Sequence, residues 1–182
     1  MSCLRFVCLL PVLLLLAAAG ISTAEADDLD IGREEQLKAA YLFNFVKFVE
    51  WPANENAPIR ICFIGAHGIH ASLTESTSGK KVGARAIAIS MLEIADRRLG
   101  CDVIYLDATV DMHVLMRDPA DSTALTVSDA GDFTHRGGVI RLFKEGNRLR
   151  FDINLDNARR AGTKISSNLL KLASRVEQGG VP

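Results

Sequence analysis

The chain has 182 residues, of which 48% are hydrophobic and 24% are charged, and its formal net charge is −1. This length and composition are typical of one globular domain. The nearly neutral charge excludes the broad basic surface that proteins use to bind nucleic acid.

The start of the chain has the features of a secretory signal peptide. Residues 7–19 are apolar apart from one proline, and Ser22 and Ala24 have the spacing of small residues that signal peptidase accepts. The apolar run is shorter than the roughly 20 residues that a membrane-spanning helix needs. We therefore expect cleavage after Ala24, with Ala26 as the alternative, and export of the mature chain to an oxidising compartment.

An aromatic segment follows, and it holds five of the chain's aromatic residues between Tyr41 and Trp51. At 3.6 residues per turn, apolar side chains cover nearly all sides of a helix over residues 34–50, which is typical of a helix buried between other elements. Pro52 ends this helix. Trp51 lies where helix becomes loop, so it either belongs to the core or faces a ligand or a partner.

Beyond the aromatic helix, short apolar segments alternate with helical ones. The predicted strands cover residues 59–65, 84–90, 101–107 and 123–128. The predicted helices lie between them, near residues 66–76, 93–99 and 110–116. Such alternation predicts βαβ units with right-handed crossovers, and hence a mostly parallel central sheet with helices on both faces.

The pattern changes after Gly137. Residues 138–143 and 149–155 predict two strands joined by a turn at Gly146-Asn147, which is an antiparallel hairpin at one edge of the sheet. The last predicted elements are a short helical segment over residues 156–161 and a helix over residues 166–176.

The fold class expected from these elements is a three-layer α/β domain. We divide the chain into a signal peptide over residues 1–24, a polar lead-in over 25–33, a single α/β domain over 34–176 and a tail over 177–182.

Few residues suggest chemistry. His67 and His70 are three positions apart, but no carboxylate or cysteine pair stands beside them at the spacing of a metal site. The loop from Gly65 to Gly68 leads from a strand into a helix, which suits either a tight turn or a weak anion site. No nucleophile with a recognisable base is present. We therefore predict no catalytic residue, no metal, no cofactor and no enzymatic activity.

Cys62 and Cys101 are the two cysteines that remain after signal cleavage. One lies in the first predicted strand and the other opens the third, and these strands are neighbours in common doubly wound sheets. In an oxidising compartment the two sulfurs could form one disulfide. The alternative is a pair of buried free thiols.

Several blocks resemble the YfiR/HmsC-type family of periplasmic proteins, in order and over nearly the whole mature chain. They read Leu37-Lys-Ala-Ala-Tyr-Leu-Phe-Asn-Phe-Val-Lys-Phe-Val-Glu-Trp-Pro52, Arg60-Ile-Cys-Phe-Ile-Gly65, Cys101-Asp-Val-Ile-Tyr-Leu106, Leu125-Thr-Val-Ser-Asp129, Gly137-Gly-Val-Ile, Arg148-Leu-Arg-Phe-Asp-Ile-Asn-Leu155 and Ile165-Ser-Ser-Asn-Leu-Leu-Lys-Leu-Ala173.

The resemblance implies a periplasmic α/β protein that forms homodimers. It implies repression of an inner-membrane diguanylate cyclase through the cyclase's periplasmic sensor region, and hence lower cyclic di-GMP and less biofilm. An outer-membrane lipoprotein that sequesters the repressor is the second implied partner. The family also carries redox-responsive disulfides. Cys62 and Cys101 match one pair, whereas a second pair has no counterpart in this chain.

The surface that meets a partner is predicted from the ends of two helices. Apolar surface near Trp51 and the C-terminal helix could anchor a partner protein. Ser166, Ser167 and Asn168 could line a small-molecule pocket at the start of that helix, or Ser166 could simply cap it. A sensor module that binds a small molecule and acts on another receptor is the alternative function.

Overall fold

The computed structural model describes residues 23–51, 57–93, 100–111 and 123–178, with side chains from residue 30 onward. Its elements in chain order are α1 (Thr23–Lys47), β1 (Val49–Glu50), β2 (Ile59–Ile64), α2 (His67–Thr77), β3 (Lys81–Val82), β4 (Arg85–Met91), β5 (Val103–Leu106), β6 (Leu125–Ser128), β7 (Ile140–Glu145), β8 (Arg148–Asn154), α3 (Leu155–Arg160), β9 (Lys164–Ile165), α4 (Ser167–Leu172) and β10 (Arg175–Glu177).

The main sheet has eight strands in the order β10-β8-β7-β6-β5-β2-β4-β3. The five strands from β7 to β4 run parallel to their neighbours, whereas β8 is antiparallel to β7 and β3 is antiparallel to β4. The predicted α/β class with a mostly parallel central sheet is confirmed. Strands β1 and β9 form a separate antiparallel pair.

The aromatic helix is the main element on one face of the sheet. Leu42, Phe45 and Val46 of α1 are buried in one apolar cluster with inward-facing side chains of the strands. The helix is longer at its start than predicted, because the polar lead-in is helical from Thr23. It ends at Lys47 rather than at residue 50, because the next residues leave the helix to pair with β9.

The opposite face of the sheet has its own apolar cluster. Cys62, Ile64, Ile104 and Leu106 point to this side and are buried together with Phe133 from the loop after β6. The predicted helices near residues 93–99 and 110–116 fall almost entirely outside the described residues.

The C-terminal hairpin is confirmed, with β7 and β8 joined at Gly146-Asn147. Its predicted place at the sheet edge is wrong, because β10 pairs with the outer side of β8 and forms the edge instead. The predicted helix over residues 166–176 therefore ends at Leu172. The chain turns extended at Ala173, and the Ser174 N–H donates to the Phe151 carbonyl over 2.8 Å.

Two glycines shape the approach to β7. Gly137 has a φ of 105°, a conformation that favours glycine. Gly138 lies against the ring of Phe133, which is only 1% exposed, so a Cβ at Gly138 would overlap the ring. The Gly138 carbonyl accepts a 2.7 Å hydrogen bond from the buried amide of Asn157. The loop before β7 is thus fixed to both Phe133 and α3.

We expect Gly138→Ala to lower the free energy of unfolding by about 1–3 kcal/mol, because a buried ring and a bonded backbone must both shift. Urea denaturation followed by circular dichroism measures the change. Gly131→Ala is the matched control in the same loop, since no atom lies within 4 Å of a Cβ there. Equal stability of the two variants would contradict the tight packing at Gly138.

Candidate functional site

A groove of ≈ 320 Å³ runs between α1, the tip of the hairpin and α4. We call it the α1–α4 groove. Its lining residues are Leu37 and Tyr41 from α1, Asn147, Arg148, Leu149, Arg150 and Phe151 from the hairpin, and Leu172 from α4.

The groove is flanked by apolar side chains that the fold leaves in solvent. The exposed large hydrophobic residues in the described part of the chain are Ile31, Leu37 and Leu172, at 57%, 44% and 63% exposure. Two of these three line the groove. Clustered apolar surface of this kind marks interaction sites, whereas isolated exposed residues such as Ile31 are ordinary.

The floor of the groove is held by contacts between α1 and β8. Tyr41 packs edge-on against Phe151 with ring centroids 6.0 Å apart, and Phe45 packs against the same ring at 5.0 Å. The Tyr41 hydroxyl donates a 2.9 Å hydrogen bond to the Leu149 carbonyl, which ties α1 directly to β8. A partner would therefore meet a preformed surface, which lowers the entropic cost of binding.

The hairpin gives the groove a basic rim. Arg148 is exposed at the start of β8, and Arg150 is paired with Glu145 across the hairpin at 3.1 Å. Apolar anchors surrounded by a polar rim are the usual anatomy of protein interfaces. The groove thus suits a partner segment that carries apolar side chains together with a carboxylate.

Ion pairs position the α1 wall of the groove. Lys38 contacts Asp129, just after β6, at 2.6 Å and Glu34 at 2.8 Å, and Glu34 also contacts Lys144 of β7 at 2.5 Å. Burial alone would lower the pKa of Lys38, but its hydrogen bonds to Asp129 and Glu34 raise that pKa above the ordinary value. Hydrogen bonds from Lys144 and Lys38 lower the pKa of Glu34. Both shifts favour the charged forms, the Lys38 ammonium and the Glu34 carboxylate.

Trp51 does not line the groove. Its side chain is half-buried against the main apolar cluster, and its indole N–H donates a 2.8 Å hydrogen bond to the Val46 carbonyl. The indole nitrogen is therefore already used inside the fold, where it closes the end of α1.

The three polar residues at the start of α4 have different environments. The Ser166 hydroxyl accepts a hydrogen bond from the Leu169 N–H at 3.3 Å and is the N-cap, as its position predicted. Ser167 and Asn168 are exposed on the first turn. None of the three lines the α1–α4 groove, although α4 contributes Leu172 to it.

We expect Ser166→Ala to lower the free energy of unfolding by up to about 1 kcal/mol, because the Leu169 N–H loses its side-chain acceptor and keeps only the Ser166 carbonyl at 3.0 Å. Ser167→Ala is the matched control and should leave stability unchanged. Thermal denaturation of both variants measures the difference. If both variants melted with the wild type but lost the same small ligand, Ser166 would belong to a ligand site rather than to a cap.

Cys62 and Cys101 are bonded to each other, with Cα atoms 6.0 Å apart. Cys62 is buried on β2, while Cys101 is half-buried just before β5. The bond therefore crosses two neighbouring parallel strands on the face opposite α1.

We expect reduction of this disulfide to lower the free energy of unfolding by about 4 kcal/mol, since the bond closes a long loop in the unfolded chain. Urea denaturation with and without reductant measures the loss. The double variant Cys62→Ala, Cys101→Ala is the control, because reductant should not change its stability. Alkylation of both cysteines in unreduced periplasmic protein would contradict the bond.

The remaining candidates from the sequence are the two histidines of α2 and the loop from Gly65 to Gly68. His67 is exposed, and His70 packs edge-on against Phe63 with centroids 5.4 Å apart. Within the described ranges, no group of three or more His, Cys, Asp or Glu side chains could hold a metal ion. The Glu35 carboxylate lies against Gly68 at the start of α2, so a bound anion there would meet like charge.

The sequence pattern does not predict that Leu37 and Leu172 are exposed together in one groove. Leu37 and Leu172 both fit the 3.6-residue period of a core stripe. Leu172 is exposed because α4 ends there. The sequence holds two signals for this part of the surface, the hairpin turn at Gly146-Asn147 and the apolar C-terminal helix that carries Leu172.

A sequence profile of the family described as YfiR/HmsC-like matches residues 35–174. The fold is similar to a conserved domain protein from Vibrio cholerae O1 biovar El Tor strain N16961, with a TM-score of 0.52 and 12% identity over 79% of this chain and 60% of that chain. An ABC domain from Streptococcus pneumonia, solved in complex with L-Trp, gives a TM-score of 0.49 and 11% identity over the same shares.

This chain spans about 60% of the length of both solved chains. At 12% identity, the similarity to the Vibrio cholerae protein supports the α/β fold alone. Among the helices that the structure describes, none is long and apolar enough to cross a membrane.

Proposed function

Because the chain belongs to the YfiR/HmsC-like family, we propose that it is a periplasmic regulatory binding protein. It represses an inner-membrane diguanylate cyclase by engaging the cyclase's periplasmic sensor region, and so lowers cyclic di-GMP and biofilm formation. The family match over residues 35–174 is the observation that carries this proposal.

The proposed mechanism is binding without turnover. A repressor needs only a higher affinity for the inactive conformation of its receptor than for the active one. A hundredfold preference, about 2.7 kcal/mol, would shift a balanced receptor almost entirely to the inactive state. One rigid apolar surface is sufficient for such a preference.

We assign this surface to the α1–α4 groove. Leu37 and Leu172 supply apolar anchors, and Arg148 supplies a positive charge at the rim. Anchors that enter a pocket usually dominate the binding energy of an interface. The groove is also the surface that an outer-membrane lipoprotein would cover when it sequesters the repressor, since competition requires overlapping sites.

Self-association belongs to the same proposal, with a homodimer as the regulatory unit. Each copy would present its own groove to a receptor chain. The twofold arrangement would suit a dimeric cyclase, because paired sites raise the effective concentration of the second contact.

The second candidate function is a small-molecule sensor that acts on another receptor. The volume of the groove, ≈ 320 Å³, favours it, because small-molecule sites begin near this size. Two results together would select this function. A small ligand would raise the melting temperature of the wild type but not of Leu172→Glu, and deletion of the gene would leave cyclic di-GMP unchanged.

The repressor proposal predicts that deletion of the gene raises cellular cyclic di-GMP and that only the exported form restores it. We expect Leu172→Glu to fail in this complementation, because a carboxylate replaces an anchor that is 63% exposed. Mass spectrometry of nucleotide extracts measures the level.

Ile31→Glu is the matched control. Ile31 is 57% exposed, close to the 63% of Leu172, but it does not line the groove. It should restore repression fully. Equal complementation by both variants, with both proteins present in the periplasm, would contradict the groove assignment. An unchanged cyclic di-GMP level on deletion would contradict the repressor proposal itself.

A further inference from the structure

The edge of the main sheet near β4 carries a second surface, separate from the α1–α4 groove. Strand β4 has seven residues, whereas its outer neighbour β3 has two and pairs only with Arg85 and Ala86. In the part of the chain that the structure describes, Ile87–Met91 pair with β2 alone. Most of the outer edge of β4 is therefore unpaired there.

The ladder to β2 shows which backbone groups point outward. The Leu92 N–H donates to the Phe63 carbonyl over 2.8 Å, and Phe63 lies opposite Met91 in the parallel register. Residues alternate sides along a strand. The N–H and C=O groups of Ile87, Ile89 and Met91 therefore point away from β2, in the geometry that receives another strand.

A groove of ≈ 340 Å³ lies beside this edge. Ile87 and Ile89 form its apolar wall, and Thr74 and Thr77 of α2 lie opposite. A strand that paired with β4 would place alternate side chains into this groove, so an apolar residue at every second position fits it.

The charge at the groove is positive. Lys80 and Lys81 line it and are exposed, and the Lys80 ammonium lies 5.5 Å from the centroid of the Phe43 ring. Lys47 lies over the same ring at 5.2 Å. Among the described residues, no carboxylate forms an ion pair with these three lysines.

The positive charges of these lysines determine which kind of strand could pair with β4. Edge lysines discourage pairing of two identical edges, because like charges would meet. A partner strand with carboxylates between its apolar residues would instead be attracted. We propose that the outer edge of β4 is a docking site for an extended acidic segment of a partner protein, which adds to the sheet beside Ile87–Met91.

This inference stands apart from the proposed function, since it involves neither Leu37 nor Leu172. It adds a main-chain contact of the β-augmentation type, in which backbone hydrogen bonds give affinity and alternate side chains give specificity.

The test uses the mature protein and a blocked synthetic peptide of alternating valine and glutamate. We expect the peptide to slow hydrogen exchange at the amides of Ile87, Ile89 and Met91, and the double variant Lys80→Glu, Lys81→Glu to weaken its binding about tenfold. Lys171→Glu is the matched control, because Lys171 is also exposed but lies on α4, and it should leave the affinity unchanged.

A reciprocal exchange of charge separates a specific site from general attraction. A peptide with lysine in place of glutamate should not bind the wild type, but should bind the double variant at the same three amides. Unchanged exchange at about 1 mM peptide would overturn the proposal. Protection that is the same with both peptides, or that lies elsewhere in the chain, would also overturn it.

Discussion

Packing of α1 against the parallel sheet is the contact on which the rest of the structure depends. Burial of Leu42, Phe45 and Val46 supplies about 1.5–3 kcal/mol per side chain, whereas an exposed ion pair supplies less than about 1 kcal/mol. Apolar burial therefore provides the stability. The half-buried Lys38, with Asp129 and Glu34 as partners, provides the position of the helix along the sheet.

The same contact shapes the candidate site. Once α1 is fixed, Tyr41 meets Phe151 and bonds the Leu149 carbonyl, so the hairpin and the helix form two walls of one groove. The short α4 adds the third wall because the chain turns into β10 directly after Leu172. A groove that exposes leucines suits the binding role that we propose, because repression of a receptor requires only binding.

The sequence predicted the elements whose local pattern is strong. The aromatic helix, the apolar strands and the Gly146-Asn147 turn carry clear periodicity or turn chemistry, and Ser166 has the chemistry of a cap. Two-residue strands such as β3 carry no periodicity. The pattern predicts helix where β10 forms, because Val176 fits both the helical and the strand period, and only pairing with the edge of β8 decides between them. Exposure of Leu37 and Leu172 likewise depends on tertiary neighbours, which spacing along one helix does not contain.

The most direct test of the binding surface is hydrogen exchange of this protein with and without the purified periplasmic region of the diguanylate cyclase that we propose as its receptor. We expect the complex to protect the amides of residues 147–151 and of α4, because these form the walls of the α1–α4 groove. Protection of that region with a dissociation constant that Leu172→Glu raises would support the proposed repression. Binding without protection of either segment would contradict the assignment of the binding surface to the α1–α4 groove.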